Sequence, residues 1–114
     1  MSKTVEQLQP NYAPIYAAAL YPKLAKIFQK HGYALAVHGS LSRDFDLIAV
    51  PWAEKLSPPN EVLKEITEHY VFKQIGEPTV KHHGRIAHAI SVGFGECMLD
   101  ISFFPTVEGD KRDE

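Results

Sequence analysis

VHGSLSRDFDLIAVPW, residues 37–52, is the stretch whose reading decides the fold. Its first residues end a short apolar run, Tyr33 to His38, that reads as a strand broken by Gly39-Ser40. Asp44 to Val50 reads as a second strand, closed by Pro51, which cannot donate to a ladder. Side chains alternate along a strand, so Asp44, Asp46, Ile48 and Val50 fall on one face and Phe45, Leu47 and Ala49 on the other. Two carboxylates thus share a face, roughly 7 Å apart at their Cα atoms from the rise per residue. Like charges at that distance repel, and a divalent cation between them relieves the repulsion. Hard oxygen donors of this kind suit Mg²⁺ or Mn²⁺, ions that keep several waters and also bind phosphates. The competing explanation is local: an Asp-x-Asp at a strand start also serves as a turn and cap feature.

Upstream, Tyr16, Leu20, Leu24, Ile27 and Phe28 recur at helical spacing. Asn11 can cap this helix, and Pro14 is tolerated in its first turn. Pro22 either kinks one helix or starts a second, and Gly32 is a natural stop. Tyr12, Tyr16 and Tyr21 give the helix an amphipathic surface suited to an oligomer contact.

Downstream, Ser57-Pro58-Pro59 opens a helix with the apolar stripe Val62, Leu63, Ile66 and Tyr70. Residues 71–84 carry a weaker pattern: a short strand from Val71 to Ile75, then a turn at Gly76-Glu77-Pro78. Arg85 to Val92 alternates, with Ile86, His88, Ile90 and Val92 opposed to Ala87, Ala89 and Ser91. Gly93-Phe94-Gly95-Glu96 reads as a hairpin loop, and Cys97 to Phe104 as the return strand before Pro105. This order predicts one α+β (mixed α/β) domain over residues 1–114, a mixed sheet of about four to five strands with two to three helices mainly on one face. Residues 1–11 and 106–114 read as flexible ends.

A third acid, Asp100, sits mid-strand in Cys-Met-Leu-Asp-Ile-Ser-Phe-Phe. An acid there is costly unless it is paired, hydrogen-bonded or metal-bound. If its strand neighbours Asp44–Val50, three carboxylates converge on one edge of the sheet and can hold one or two metals for phosphoryl or nucleotidyl transfer. The bland alternative is a salt bridge to Arg43 or Arg85.

Gly-Ser after a first strand, Asp-x-Asp on the next and a third Asp on a later strand resemble the nucleotidyltransferase superfamily of the DNA polymerase β type. The resemblance rests on V-H-G-S-L-S-R-D-F-D-L-I-A-V-P-W and the later M-L-D-I-S. It implies that Gly39 and Ser40 hold phosphate oxygens of a nucleoside triphosphate, and that Asp44, Asp46 and Asp100 bind Mg²⁺ as the catalytic carboxylates. The implied activity is transfer of a nucleotidyl group to an unknown acceptor. Family members of this size often rely on a partner chain, so a protein partner or a homo-oligomer is implied too. The chain departs from the pattern in one respect: only Leu41-Ser42-Arg43 separate Gly-Ser from Asp-x-Asp, where the family usually places at least a helical turn. That departure favours an alternative, a catalytically inactive member of the fold that binds a nucleotide or a protein. A small metal-dependent phosphohydrolase is a third reading.

Lys81-His82-His83-Gly84-Arg85 is a basic cluster. Arg85 is its best phosphate ligand, because its fork matches phosphate oxygens; the histidines read better as a solvated turn. Arg43 can neutralise the acid pair or contact a bound nucleotide. His38, His82, His83, His88 and Cys97 offer zinc donors without a recognised zinc spacing. His88 shares a face with Ile86 and Ile90 and reads as a core histidine. Trp52 could stack on a base but reads better as packing. Cys97 has no visible base beside it.

A chain of 114 residues fits one domain with a real core. The formal net charge of -2 supplies no basic excess to hold a nucleic-acid backbone, although a small nucleotide neutralised by its own metal is compatible with it. The single cysteine permits no intrachain disulfide, and no apolar stretch reaches a membrane-spanning length. With no signal-peptide core after Met1-Ser2-Lys3, the expected location is cytoplasmic.

Overall fold

The computed structural model describes residues 13–41, 44–93 and 98–105. Helix α1, Ala13–Lys30, runs unbroken through Pro22. Pro22 faces solvent, so the carbonyl it leaves without an N–H partner can be met by water. Leu24 and Phe28, one turn apart, are fully buried and define the inner face of α1. Gly32 ends the helix at φ +96, and its carbonyl accepts N–H groups from both Trp52 and Ala53 at 3.0 Å. A Cβ here would run into the Lys55 carbonyl, so the turn requires glycine.

Strands β1 (Tyr33–His38) and β2 (Phe45–Pro51) follow, then helix α2 (Pro59–Tyr70) and strands β3 (Lys73–Val80), β4 (Ile86–Ser91) and β5 (Met98–Phe103). The five strands form one sheet in the order β1-β2-β5-β4-β3. The β2–β5 pair is parallel and the other pairs are antiparallel. The fold is therefore mixed α+β, with two α-helices and five strands among the described residues.

The alternation read from sequence decides the two faces. Phe45, Leu47 and Ala49 pair in register with Leu99, Ile101 and Phe103, and all six are buried. They join Leu24 and Phe28 of α1 and Val62, Leu63 and Ile66 of α2 in one core. Phe103 stacks on Phe28 at 5.8 Å and meets Tyr33 edge-on at 5.3 Å. Burying each such side chain contributes roughly 1.5–3 kcal/mol. Both helices thus cover the Phe45–Leu47 face, and Asp46 and Asp100 project from the other.

Three local readings are corrected. Asp44 stands just before β2 and not within it. The turn expected at Gly76-Glu77-Pro78 is the interior of β3, which absorbs it as a register shift between Ile75 and Thr79. β3 is an edge strand, exposed throughout, and only at an edge or bulge does a sheet tolerate such a proline. The strand also starts at Lys73, because Val71 caps α2 in the left-handed region at φ 60.

A polar link absent from the sequence reading joins the end of α1 to α2. His31 Nε2 lies 2.7 Å from Glu65 Oε1, and His31 Nδ1 lies 2.7 Å from Ser57 Oγ. A carboxylate only accepts, so Nε2 donates to Glu65, and in the neutral ring Nδ1 accepts from the Ser57 hydroxyl. Lys30 Nζ donates to the other Glu65 oxygen at 2.6 Å, and Tyr33 OH donates to the Ser57 carbonyl at 2.6 Å. His88 is buried, 5% exposed and edge-on to Phe103, but it is not the satisfied core histidine expected, because its Nδ1 has no hydrogen-bond partner among the described residues. No described helix is long and apolar enough to cross a membrane.

Candidate metal and phosphate site

Strand register brings the second and third acids of the motif together. Asp46 on β2 is the direct partner of Asp100 on β5, and on its other side it is the partner of His38 on β1. Adjacent strands lie about 4.8 Å apart, so the two carboxylates share the open face one strand spacing from each other. The condition attached to Asp100 at the level of sequence, that its strand neighbour β2, is met.

The electrostatics follow from that placement. Burial, first, and the negative charge of Asp100, second, push the Asp46 carboxyl above its ordinary pKa. Asp44 adds to the rise, and His38 and Lys81 oppose it. Among the described residues no Lys or Arg forms an ion pair with Asp46 or Asp100. The salt bridge from Asp100 to Arg85 considered from sequence is not made.

Gly39 has a geometric reason to be glycine. Its φ is +82, and a Cβ built on it would lie 2.5 Å from Asp46 Oδ2. The absent side chain lets the backbone after β1 close against the carboxylate. Ser40 follows it, exposed, two residues past the end of β1. Asp44 has a different task from the one expected of it: its Oδ1 accepts the Met98 N–H at 3.2 Å, tying the entry of β2 to the entry of β5. Arg43 and Cys97 lie outside the described residues.

A cavity of about 220 Å³ opens beside the acids, lined by His38, Asp46, Lys81, Arg85, Asp100 and Ser102. Arg85 Nη1 donates to Ser102 Oγ at 3.3 Å, and the guanidinium lies 5.7 Å above the Phe104 ring. His82–Gly84 form a 3-10 turn between Lys81 and Arg85, with both histidines exposed and their rings 6.3 Å apart. Larger clefts of about 460 and 370 Å³ flank His31. They are lined mainly by exposed charged side chains of α2 and its approach, and the polar groups of His31 in them already have partners.

The sequence reading did not place His38, Lys81 or Ser102 at the acids. Ser102 was within reach of it: two residues beyond Asp100 on a strand, it shares that face. His38 and Lys81 come from the strands on either side, and nothing local marks the contact.

Among the described residues no group of three or more His, Cys, Asp or Glu side chains is arranged to hold a metal ion. Asp46 and Asp100 are hard oxygen donors, the chemistry that Mg²⁺ takes from one or two carboxylates alongside substrate phosphates and water. Compared with protein-family models, with curated proteins and with solved structures, the chain matches none.

Proposed function

We propose that the chain is a minimal nucleotidyltransferase-like domain that transfers a nucleotidyl group from a nucleoside triphosphate to an acceptor hydroxyl. The observation that carries this reading is the register pairing of Asp46 with Asp100 beside a glycine whose missing side chain admits the backbone to the Asp46 carboxylate. Gly39 and Ser40 bind triphosphate oxygens, and Arg43 counters the negative charge of the nucleotide, while Arg85 stands across the acids from Gly39. Asp46 and Asp100 would hold Mg²⁺ or Mn²⁺, and Asp44 would offer the oxygen not bonded to Met98. When bound, such an ion would supply Lewis-acid polarisation of the phosphoryl group. Asp100, on the far side of Asp46 from Gly39, accepts the proton of the attacking hydroxyl.

The test is thermal unfolding with Mg²⁺ or Mn²⁺, with and without ATP, GTP, CTP or UTP, followed by pyrophosphate release across an acceptor screen. Stabilisation that needs metal and nucleotide together, lost in Asp46→Asn, is the expected result. No stabilisation by any combination removes the reading. A second reading, a non-catalytic nucleotide-binding or protein-binding member of the fold, is favoured by the bond that ties Asp44 to Met98 and by the lack of a three-donor group among the described residues. Nucleotide binding without pyrophosphate release with any acceptor would select it.

A further inference from the structure

We infer that the acceptor is a small phosphorylated molecule whose phosphate binds Lys81 and Arg85, an inference that rests on the transferase reading of the neighbouring acids. The sheet order sets the polarity of the site. Gly39 leaves β1, Asp46 is on β2, Asp100 on β5, Arg85 at the entry of β4 and Lys81 at the exit of β3. From β2 to β4 is two strand spacings, roughly 10 Å. By strand order the two cations enter from the side of the acids away from the glycine that would meet the triphosphate, into the cavity that His38, Asp46 and Asp100 also line. An anion bound there belongs to the other substrate.

Both cations are available to an anion. Among the described residues neither forms an ion pair. Arg85 is held from two sides, by Ser102 Oγ and by the Phe104 ring, and Ser102 itself is 2% exposed. One N–H of the guanidinium's five is used by that serine, which leaves a fixed fork for phosphate oxygens. Lys81 is brought beside it by a tight turn. Its N–H donates to the Arg85 carbonyl at 2.7 Å, and the turn closes through His83 at φ 63 and Gly84 at φ 75. His83 carries a Cβ into the left-handed region, a conformation that persists where the surroundings enforce it.

Size and charge select the class of acceptor. The cavity of about 220 Å³ has room for a phosphate group. A formal net charge of -2 gives no extended basic track for a polynucleotide. A sugar phosphate or similar phosphomonoester fits both limits. In the transfer its hydroxyl oxygen forms a bond to the α-phosphorus, and the bond from that phosphorus to the bridging oxygen of the β-phosphate breaks. Pyrophosphate leaves, and the hydroxyl proton passes to Asp100.

Calorimetric titration without metal, in EDTA, tests the phosphate site apart from catalysis. The probes are ribose 5-phosphate, ribose and a short oligoribonucleotide. Ribose 5-phosphate is expected to bind and ribose not to. Arg85→Ala and Lys81→Ala should each weaken binding about tenfold or more, with Arg85→Lys restoring only part of it. Asp46→Asn should keep sugar-phosphate binding while losing the metal-dependent nucleotide stabilisation. Equal binding of ribose and ribose 5-phosphate overturns the inference, as does an unchanged affinity in the folded Lys81→Ala, Arg85→Ala double variant. Tighter binding of the oligoribonucleotide than of the sugar phosphate overturns the small-acceptor assignment. Sugar-phosphate binding in a chain that binds no nucleotide overturns the acceptor role and the transferase reading together, and leaves a phosphate site.

Discussion

Asp46 is the residue on which most of the site's energetics converge. Its pKa is raised above 3.8 by burial and by Asp100, so the folded state holds this proton more tightly than the unfolded chain. Between 3.8 and the raised value, the folded state binds more protons and stability falls as pH rises; above that window the whole penalty is present. Asp46→Asn removes it. In EDTA at neutral pH the variant should melt higher than the wild type by up to about 4 °C, and the gain should vanish below the unfolded carboxyl pKa. The same variant should gain nothing from Mg²⁺ with nucleotide, so one substitution separates stability from ligand binding. Gly39→Ala acts on the same contact from the other side. A methyl group 2.5 Å from Asp46 Oδ2, on a backbone at φ +82, should cost roughly 1–2 kcal/mol in urea unfolding and displace the carboxylate. Metal-dependent nucleotide stabilisation should fall with it.

The elements differ in how openly the sequence declares them. β2 and β5 were readable because each buries one face, which imposes a period of two on Phe45-Asp46-Leu47 and on Leu99-Asp100-Ile101. β3 was not, because an edge strand exposed on both faces has no such constraint, and Gly76-Glu77-Pro78 then looks like a turn. Pro22 likewise looked like a break, yet on the solvent side of α1 it costs a hydrogen bond without ending the helix. The link through His31 was invisible for another reason: its partners are 26 and 34 residues away and carry no spacing signal. It sits at a half-buried junction where each net hydrogen bond contributes about 1 kcal/mol. His31→Ala should therefore lower stability by about 1–3 kcal/mol in urea unfolding and leave nucleotide and phosphate binding unchanged.

At the scale of the whole molecule, the sheet order does what no local stretch could announce. Inserting β5 parallel to β2 and between it and β4 turns two acids 54 positions apart into register partners, and it sets the basic turn beyond them. The sequence showed an isolated acid in an apolar strand and an Asp-x-Asp on another; their meeting depended on a long-range pairing. The same packing buries His88, whose pKa burial pushes below 6.5 against the opposing pull of Asp100. Below that unfolded value the unfolded chain takes up a proton that the folded state resists, so stability is lost as pH falls. His88→Leu should flatten the decline of the unfolding midpoint between about pH 5 and 7. The central claim is that Asp46 and Asp100 form one cation site completed by nucleotide phosphates. Diffraction from crystals soaked with Mn²⁺ and a non-hydrolysable nucleoside triphosphate analogue tests it most directly. The account predicts an anomalous peak about 2 Å from an oxygen of each carboxylate and from the phosphates. A bound nucleotide with no peak between Asp46 and Asp100, or a peak held elsewhere, would contradict it.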